Sequence, residues 1–264
     1  MGLLGVIGNL TRDVVEGGSP RVGGAPYYAA RALRLVGRPA RIVTRCAAAD
    51  RAALLPGLIA LGVSVTWRPA AATASFTFRY EGDRRLMELD ALGEPWEADD
   101  VRGWVAKALG RSGWVHVAPL ARSDFPAETL RLLARGRRLL LDGQGLVRPG
   151  RTGPLELDAD FDPELLRHLS VLKLAEEEAE VIGGVDRLPV PEVVVTLGSR
   201  GALVIVRGRT ERVAAPAAHG VDPTGAGDAF AAVYLAGRSA GQTPVGAARR
   251  ATSLVAGLLS GQAR

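Results

Sequence analysis

Asp222-Pro223-Thr224-Gly225-Ala226-Gly227-Asp228 combines a bare glycine turn with an acid, and an apolar run, Ala229-Phe230-Ala231-Ala232-Val233-Tyr234-Leu235, follows at once. Such a run reads as a helix, and the first amides of a helix are unpaired and favour an anion. Glycines let a phosphate approach the main chain without meeting a Cβ. A carboxylate beside a bound phosphate repels it unless it has another task, such as taking a proton from an attacking hydroxyl. The stretch therefore predicts phosphoryl transfer. Asp228 is the base, and Gly225, Ala226 and Gly227 form the anion hole. A glycine-rich helix start that merely packs closely is the structural alternative.

The same residues resemble the signature of the ribokinase-like (PfkB) carbohydrate kinases, Asp-Thr-x-Gly-Ala-Gly-Asp, with Pro223 in place of the usual Thr. The resemblance implies an α/β ribokinase-like three-layer sandwich, with a mostly parallel central sheet and a small β-lid. It assigns Asp228 the role of catalytic base, Asp222 a place near the metal, and Thr224 a place at the nucleotide. ATP and Mg²⁺ are implied as cofactors, with a monovalent cation near the anion hole.

Other segments follow the family in order. Asp13, after the first strand, is the candidate acceptor of substrate hydroxyl hydrogen bonds, a task that suits an acceptor-only carboxylate. A loop acid facing water is the alternative. Gly23-Gly24 resembles the glycine pair that opens a helix beneath the sugar, and Tyr27 is the candidate aromatic contact, although an aromatic on a helix face is commonly core. The continuation Ala-Pro-Tyr-Tyr departs from the ribokinase branch and puts ribose in doubt. Asp142-Gly143-Gln144-Gly145-Leu146-Val147-Arg148 looks like the Asp-x-Gln-Gly-x-x-Arg stretch of the inositol- and nucleoside-type branch, offering Gln144 and Arg148 to the substrate. Lys173-Leu174-Ala175-Glu176-Glu177-Glu178 resembles the Asn-x-x-Glu segment. Glu178 aligns with its metal-organising acid, Lys173 falls on the nucleotide side, and Ala175 replaces the asparagine. Thr196, Gly198, Ser199, Arg200 and Gly201 match the strand end and turn used at the nucleotide.

Around these motifs, short apolar runs alternate with helical patterns, which argues for βαβ units. Strands are expected at 2–8, 40–44, 63–67, 115–118, 139–142, 171–174 and 193–197. Helices are expected at 26–36, 51–61, 126–134, 176–182, 226–236 and 245–259. Residues 73–92 alternate apolar and polar around Glu81-Gly82-Asp83, a hairpin pattern. The whole chain, 1–264, reads as one domain, with the β-lid formed from about 11–22 and 64–92, and 148–154 reads as loop.

The chain has 264 residues, 47% hydrophobic and 23% charged, an ordinary balance for a soluble globular protein. Its formal charge of +5 is spread along the sequence with acids interleaved, so no nucleic-acid partner is expected. No apolar run reaches the roughly 20 residues of a membrane span, and none is expected. One cysteine, Cys46, fits a reducing cytoplasm. A cytoplasmic kinase follows, moving the γ-phosphoryl of ATP to a hydroxyl of a small sugar or polyol such as an inositol, and pairing into a homodimer through the lid. At the helix N-terminus the Asp228 carboxylate is expected to be favoured, without an elevated pKa. The competing readings are a nucleoside kinase and a catalytically silent sugar- or nucleotide-binding relative, the latter favoured by Pro223 and Ala175.

Overall fold

The computed structural model describes residues 2–81, 84–217 and 223–261. Gly82, Asp83 and Asp222 lie outside the described residues. In chain order the strands are β1 (Leu4–Asn9), β2 (Thr11–Val15), β3 (Arg21–Gly23), β4 (Ala40–Ala47), β5 (Ser64–Ala70), β6 (Ala74–Glu81) and β7 (Arg84–Ala91). They continue with β8 (Trp114–Ala118), β9 (Arg138–Asp142), β10 (Gly153–Pro154), β11 (Val171–Ala175), β12 (Glu192–Thr196), β13 (Ala202–Val206) and β14 (Arg209–Val213).

Nine strands form the large sheet in the order β14-β13-β12-β11-β9-β8-β1-β4-β5. From β5 to β12 every pairing is parallel, and β13 and β14 close the edge antiparallel. The central parallel strands β1, β8, β11 and β12 are short and mostly buried, as a sheet covered by helices requires. One face carries the helices Ala25–Leu35, Arg51–Ile59, Ala226–Ser239 and Pro244–Leu259 around Leu33, Leu58, Phe230 and Tyr234. The other carries the helical segment 98–109 with Ala127–Leu133 and Glu176–Ile182, around Val105, Leu133 and Leu172. The result is the expected three-layer α/β sandwich.

A second sheet of five short strands, β10-β7-β6-β2-β3, stands over the carboxyl ends of the large one. The predicted hairpin is there as β6 and β7, and residues 11–23 supply β2 and β3. Two boundaries differ from expectation. Residues 64–70 pair with β4 in the large sheet, not in the small one. Gly153-Pro154, expected as loop, joins β7. Both differences arise from register: whether an alternating strand lies in one sheet or another depends on its partner, which local pattern does not specify.

The last two helices begin by different means. Thr243 Oγ1 accepts the Gly246 N–H at 3.1 Å, and Pro244 pre-sets the first turn. The helix Ala226–Ser239 has no side-chain cap, and Gly225 enters it at φ +77. Its first amides are thus left without a side-chain partner from the preceding residue. They lie at the same end of the sheet as Asn9, Ala118, Asp142, Ala175 and Thr196, the carboxyl ends of β1, β8, β9, β11 and β12. Open parallel sheets bind ligands at that end.

Candidate active site

Two clefts meet at the start of the helix Ala226–Ser239, sharing Lys173, Ala175, Glu177, Pro223 and Gly227. The residues expected to form the anion hole divide between them. Gly225 borders the cleft under the small sheet, Ala226 borders the other, and Gly227 borders both. Asp228 is half-buried in the first.

The cleft under the small sheet, about 280 Å³, gathers Asp13, Gly24, Gln144, Arg148, Glu178 and Thr224 of the expected residues. Asp13 Oδ1 accepts the Thr11 hydroxyl at 2.7 Å. Gly23 does not line the cleft. A Cβ there would stand 2.0 Å from Asp13 Oδ2, so its role is to make room for that carboxylate. Gly24, at φ +88, turns the chain into the helix Ala25–Leu35. Gln144 Nε2 donates to the Pro119 carbonyl at 2.6 Å, which fixes its amide at the cleft wall. Thr224, expected on the nucleotide side, borders this cleft and not the other.

Tyr27 does not reach the site. Its ring packs toward Gly57 and the core, and its neighbour Tyr28 lines the cleft in its place. Sequence reasoning also missed Phe76, Phe78 and Met87 of the small sheet and Leu120, which give the cleft an apolar wall. Their signal was the inward face of the hairpin's alternation. Arg148 lies 6.0 Å from the Phe76 ring centroid, beside an acidic group that includes Glu177 and Glu178. Burial holds its guanidinium pKa below the usual arginine range, although still charged.

The second cleft, about 650 Å³, takes Lys173, Thr196, Gly198, Ser199 and Gly201 of the expected nucleotide residues. The Thr196 hydroxyl donates to Leu174 O at 3.1 Å. Gly201, at φ +96, has no space for a Cβ, which would stand 2.0 Å from Val213 O. Arg200 does not line the cleft, because it forms an ion pair with Glu176 near the rim. The far wall is apolar and comes from Phe230, Val255, Ala256 and Leu259 on the last two helices, with Pro216. The sequence pattern gave these residues no function because they read as helix core.

Three buried polar groups lie beneath the junction. Lys173 Nζ is 3.2 Å from Asp142 Oδ1, and His116 Nε2 is 2.5 Å from Asp142 Oδ2. Burial would raise the Asp142 pKa, but Lys173 and His116 overcome it and keep the group an ionised carboxylate. Burial works against Lys173, yet Asp142, Glu178 and Asp228 carry its pKa up to about 12. Asp228 departs from expectation. Burial, then the Asp142 carboxylate, push it up to about 7 against Lys173, His116 and Arg148. Desolvation there outweighs the half-charge of the helix N-terminus.

Glu178 caps its own helix, accepting the Ala175 N–H at 2.8 Å. Among the described residues no group of three or more His, Cys, Asp or Glu could enclose a metal. Mg²⁺ held mainly by phosphate oxygens and water needs only one or two carboxylates. Glu177 and Glu178, both at the cleft under the small sheet, fit that demand.

This layout defines a class of fold. A pyrophosphate-dependent kinase in the ribokinase family, complexed with a pyrophosphate analog and myo-inositol, superposes with a TM-score of 0.83 at 23% identity, over 97% of this chain and 94% of that one. The nucleoside kinase of Burkholderia thailandensis in complex with inosine gives 0.78 at 21% identity, over 97% and 90%. The protein therefore has the ribokinase-like fold. Residues 159–259 match the pfkB family carbohydrate kinases, the family whose signature the stretch Asp222–Asp228 resembles. Inositol 3-kinase of Oryza sativa subsp. japonica is 31% identical over 186 residues, 64% of this chain and 45% of the plant protein. The Zea mays inositol 3-kinase is 33% identical over 161 residues, 59% of this chain and 40% of its own. The chain thus spans less than half the length of these curated relatives. No helix among the described residues is long and apolar enough to cross a membrane.

Proposed function

We propose that this protein transfers the γ-phosphoryl group of ATP to a hydroxyl of a small polyol of the inositol type. The observation that carries the reading is the joining of two clefts at Gly227, with the Asp228 carboxyl inside one of them. Asp13 and Gln144 would orient the acceptor's hydroxyls, and the apolar wall of the other cleft suits an adenine ring.

Phosphoryl transfer passes through a loose transition state, so positioning and charge stabilisation supply most of the rate. Asp228 holds the attacking hydroxyl and takes its proton. A carboxylate tuned to about 7 is a better base near neutral pH than one at its ordinary value. The Ala226 N–H donates to the Pro223 carbonyl at 3.0 Å, so the amides of Gly225 and Gly227 stabilise charge developing on the transferring group. Mg²⁺, when bound, would neutralise phosphate oxygens, with Glu177 and Glu178 to hold it and Asp222 assigned there by the motif. A monovalent cation belongs to the same reading. The small sheet acts as a lid that keeps water from competing as acceptor.

Nucleoside phosphorylation is a second reading, favoured by Tyr28, Phe76 and Phe78 at the acceptor cleft, which offer stacking faces to a base. Pairing of two copies through the edge strand β3 is the oligomeric part of the proposal, and a cytoplasmic location rests on the one buried cysteine.

The test is phosphorylation of a panel of inositols, sugars and nucleosides with labelled ATP and with pyrophosphate, alongside Asp228→Asn. Product from inositols with ATP, absent in the variant, is expected. Nucleoside-only product selects the second reading. Binding without product across the panel would refute phosphotransfer.

A further inference from the structure

Lys173 carries the ammonium between the two clefts, and its position is set from behind. One oxygen of Asp142 holds Nζ at 3.2 Å, and the other faces His116 Nε2 at 2.5 Å. Asp142 is 1% exposed and His116 is fully buried. An ionised carboxylate only accepts, so Nε2 carries the imidazole proton and donates it into this bond. His116 Nδ1 has no hydrogen-bond partner among the described residues. The ring is thus committed to Asp142 alone. On the front side, a Cβ at Gly227 would stand 2.8 Å from Lys173 Nζ, so the ammonium lies directly against the anion hole.

A purely structural role does not account for this arrangement. β8, β9 and β11 would be joined at least as well by apolar side chains of the same volume, because burying ions costs more than it returns. The three groups follow one line across these adjacent strands, and the line ends at the one member that borders both clefts.

We propose that Asp142, oriented by His116, is a positioning residue that fixes the Lys173 ammonium against Gly227, where it meets the phosphoryl group in passage from donor to acceptor. This inference rests on the phosphotransfer reading. Asp142 is hydrogen-bonded to His116 through Oδ2 and faces Lys173 through Oδ1 as an ion pair, without a hydrogen bond there, so it is the fixed charge that holds the lysine where it serves the donor and the transition state alike. Without Asp142, Lys173 has a long flexible stem and no anchor beneath it.

The experiment compares Asp142→Asn, His116→Leu and His116→Gln in steady-state turnover, pH profile and calorimetric binding of ATP and pyrophosphate. Asp142→Asn should lower kcat by about 10–100-fold, leave the acceptor KM within about threefold, and weaken pyrophosphate binding about tenfold. Its acidic limb should move to lower pH, because the Asp142 charge is one cause of the elevated Asp228 value. His116→Gln keeps an N–H donor and should retain most of the rate, whereas His116→Leu should lose it. Should Asp142→Asn not fold, the two His116 variants carry the comparison. Wild-type kcat, unchanged pH limb and unchanged pyrophosphate affinity in Asp142→Asn or His116→Leu would overturn the proposal. So would equal losses in His116→Gln and His116→Leu. If the wild-type protein turns over no acceptor, the phosphotransfer reading fails by itself. The pyrophosphate affinities then still decide whether Asp142 places the ammonium.

Discussion

The ring of Tyr28 lies against Gly225, so closely that a Cβ at 225 would stand 2.2 Å from the ring carbons. Gly225 is also at φ +77, where other residues are strained by about 1–2 kcal/mol. The tyrosine thus braces the proposed anion hole from the cleft under the small sheet. Gly225→Ala should lower Tm by several degrees and reduce kcat at least tenfold. Thermal melts and initial rates check both.

Asp228→Asn should keep the fold and donor binding while losing several orders of magnitude in turnover. In the wild-type protein the base must be ionised, so kcat/KM should rise with pH through about 7 and level off above it. A rate that falls over pH 6–8 would contradict the assignment of Asp228 as base.

Stability should show the opposite trend. Asp228 and Asp124 are both pushed up to about 7 by burial, and Asp124 accepts main-chain N–H bonds from Leu120 and Ala121. Between about pH 4 and 7 the folded state then binds protons that the unfolded chain has released. Stability therefore falls as pH rises through that window. Urea midpoints should be lower at pH 8 than at pH 5.5, and Asp228→Asn should reduce the difference. A midpoint independent of pH would exclude the elevated values.

What was legible in the sequence follows how local each signal is. The Asp222–Asp228 stretch could be read because turn, acid and helix are contiguous, and the short apolar strands stood out against the helical periods. The line of His116, Asp142 and Lys173 could not, because it exists only through the order β8-β9-β11, and a histidine between two valines reads as core. Tyr27 and Tyr28 differ by about 100° around one helix, and nothing in the string says which ring faces the cleft. The β13–β14 hairpin escaped notice because its turn places Arg207 at φ +50, a conformation that arginine seldom signals. The elevated Asp228 value was unreadable too, since the carboxylate that raises it lies on another strand.

Acceptor and donor roles should separate in kinetics. Asp13 touches only the cleft under the small sheet. Asp13→Asn keeps the shape but exchanges an acceptor for a donor, so the acceptor KM should rise about 10–100-fold with the donor KM unchanged. Loss confined to the donor KM would reverse the assignment of the two clefts.

The proposed donor cleft gives the sharpest test of nucleotide use. Val255, on the helix Pro244–Leu259, contributes to its apolar wall together with Phe230 and Leu259. An adenine ring needs that wall, whereas pyrophosphate needs only the helix amides and Lys173. Val255→Trp would fill the cleft with an indole on its apolar side. The ATP KM should then rise at least tenfold, while inorganic pyrophosphate should bind with unchanged affinity in calorimetry. If ATP kinetics are unaffected and pyrophosphate supports turnover equally in both proteins, the apolar cleft is not a base pocket and the donor is the bare anion.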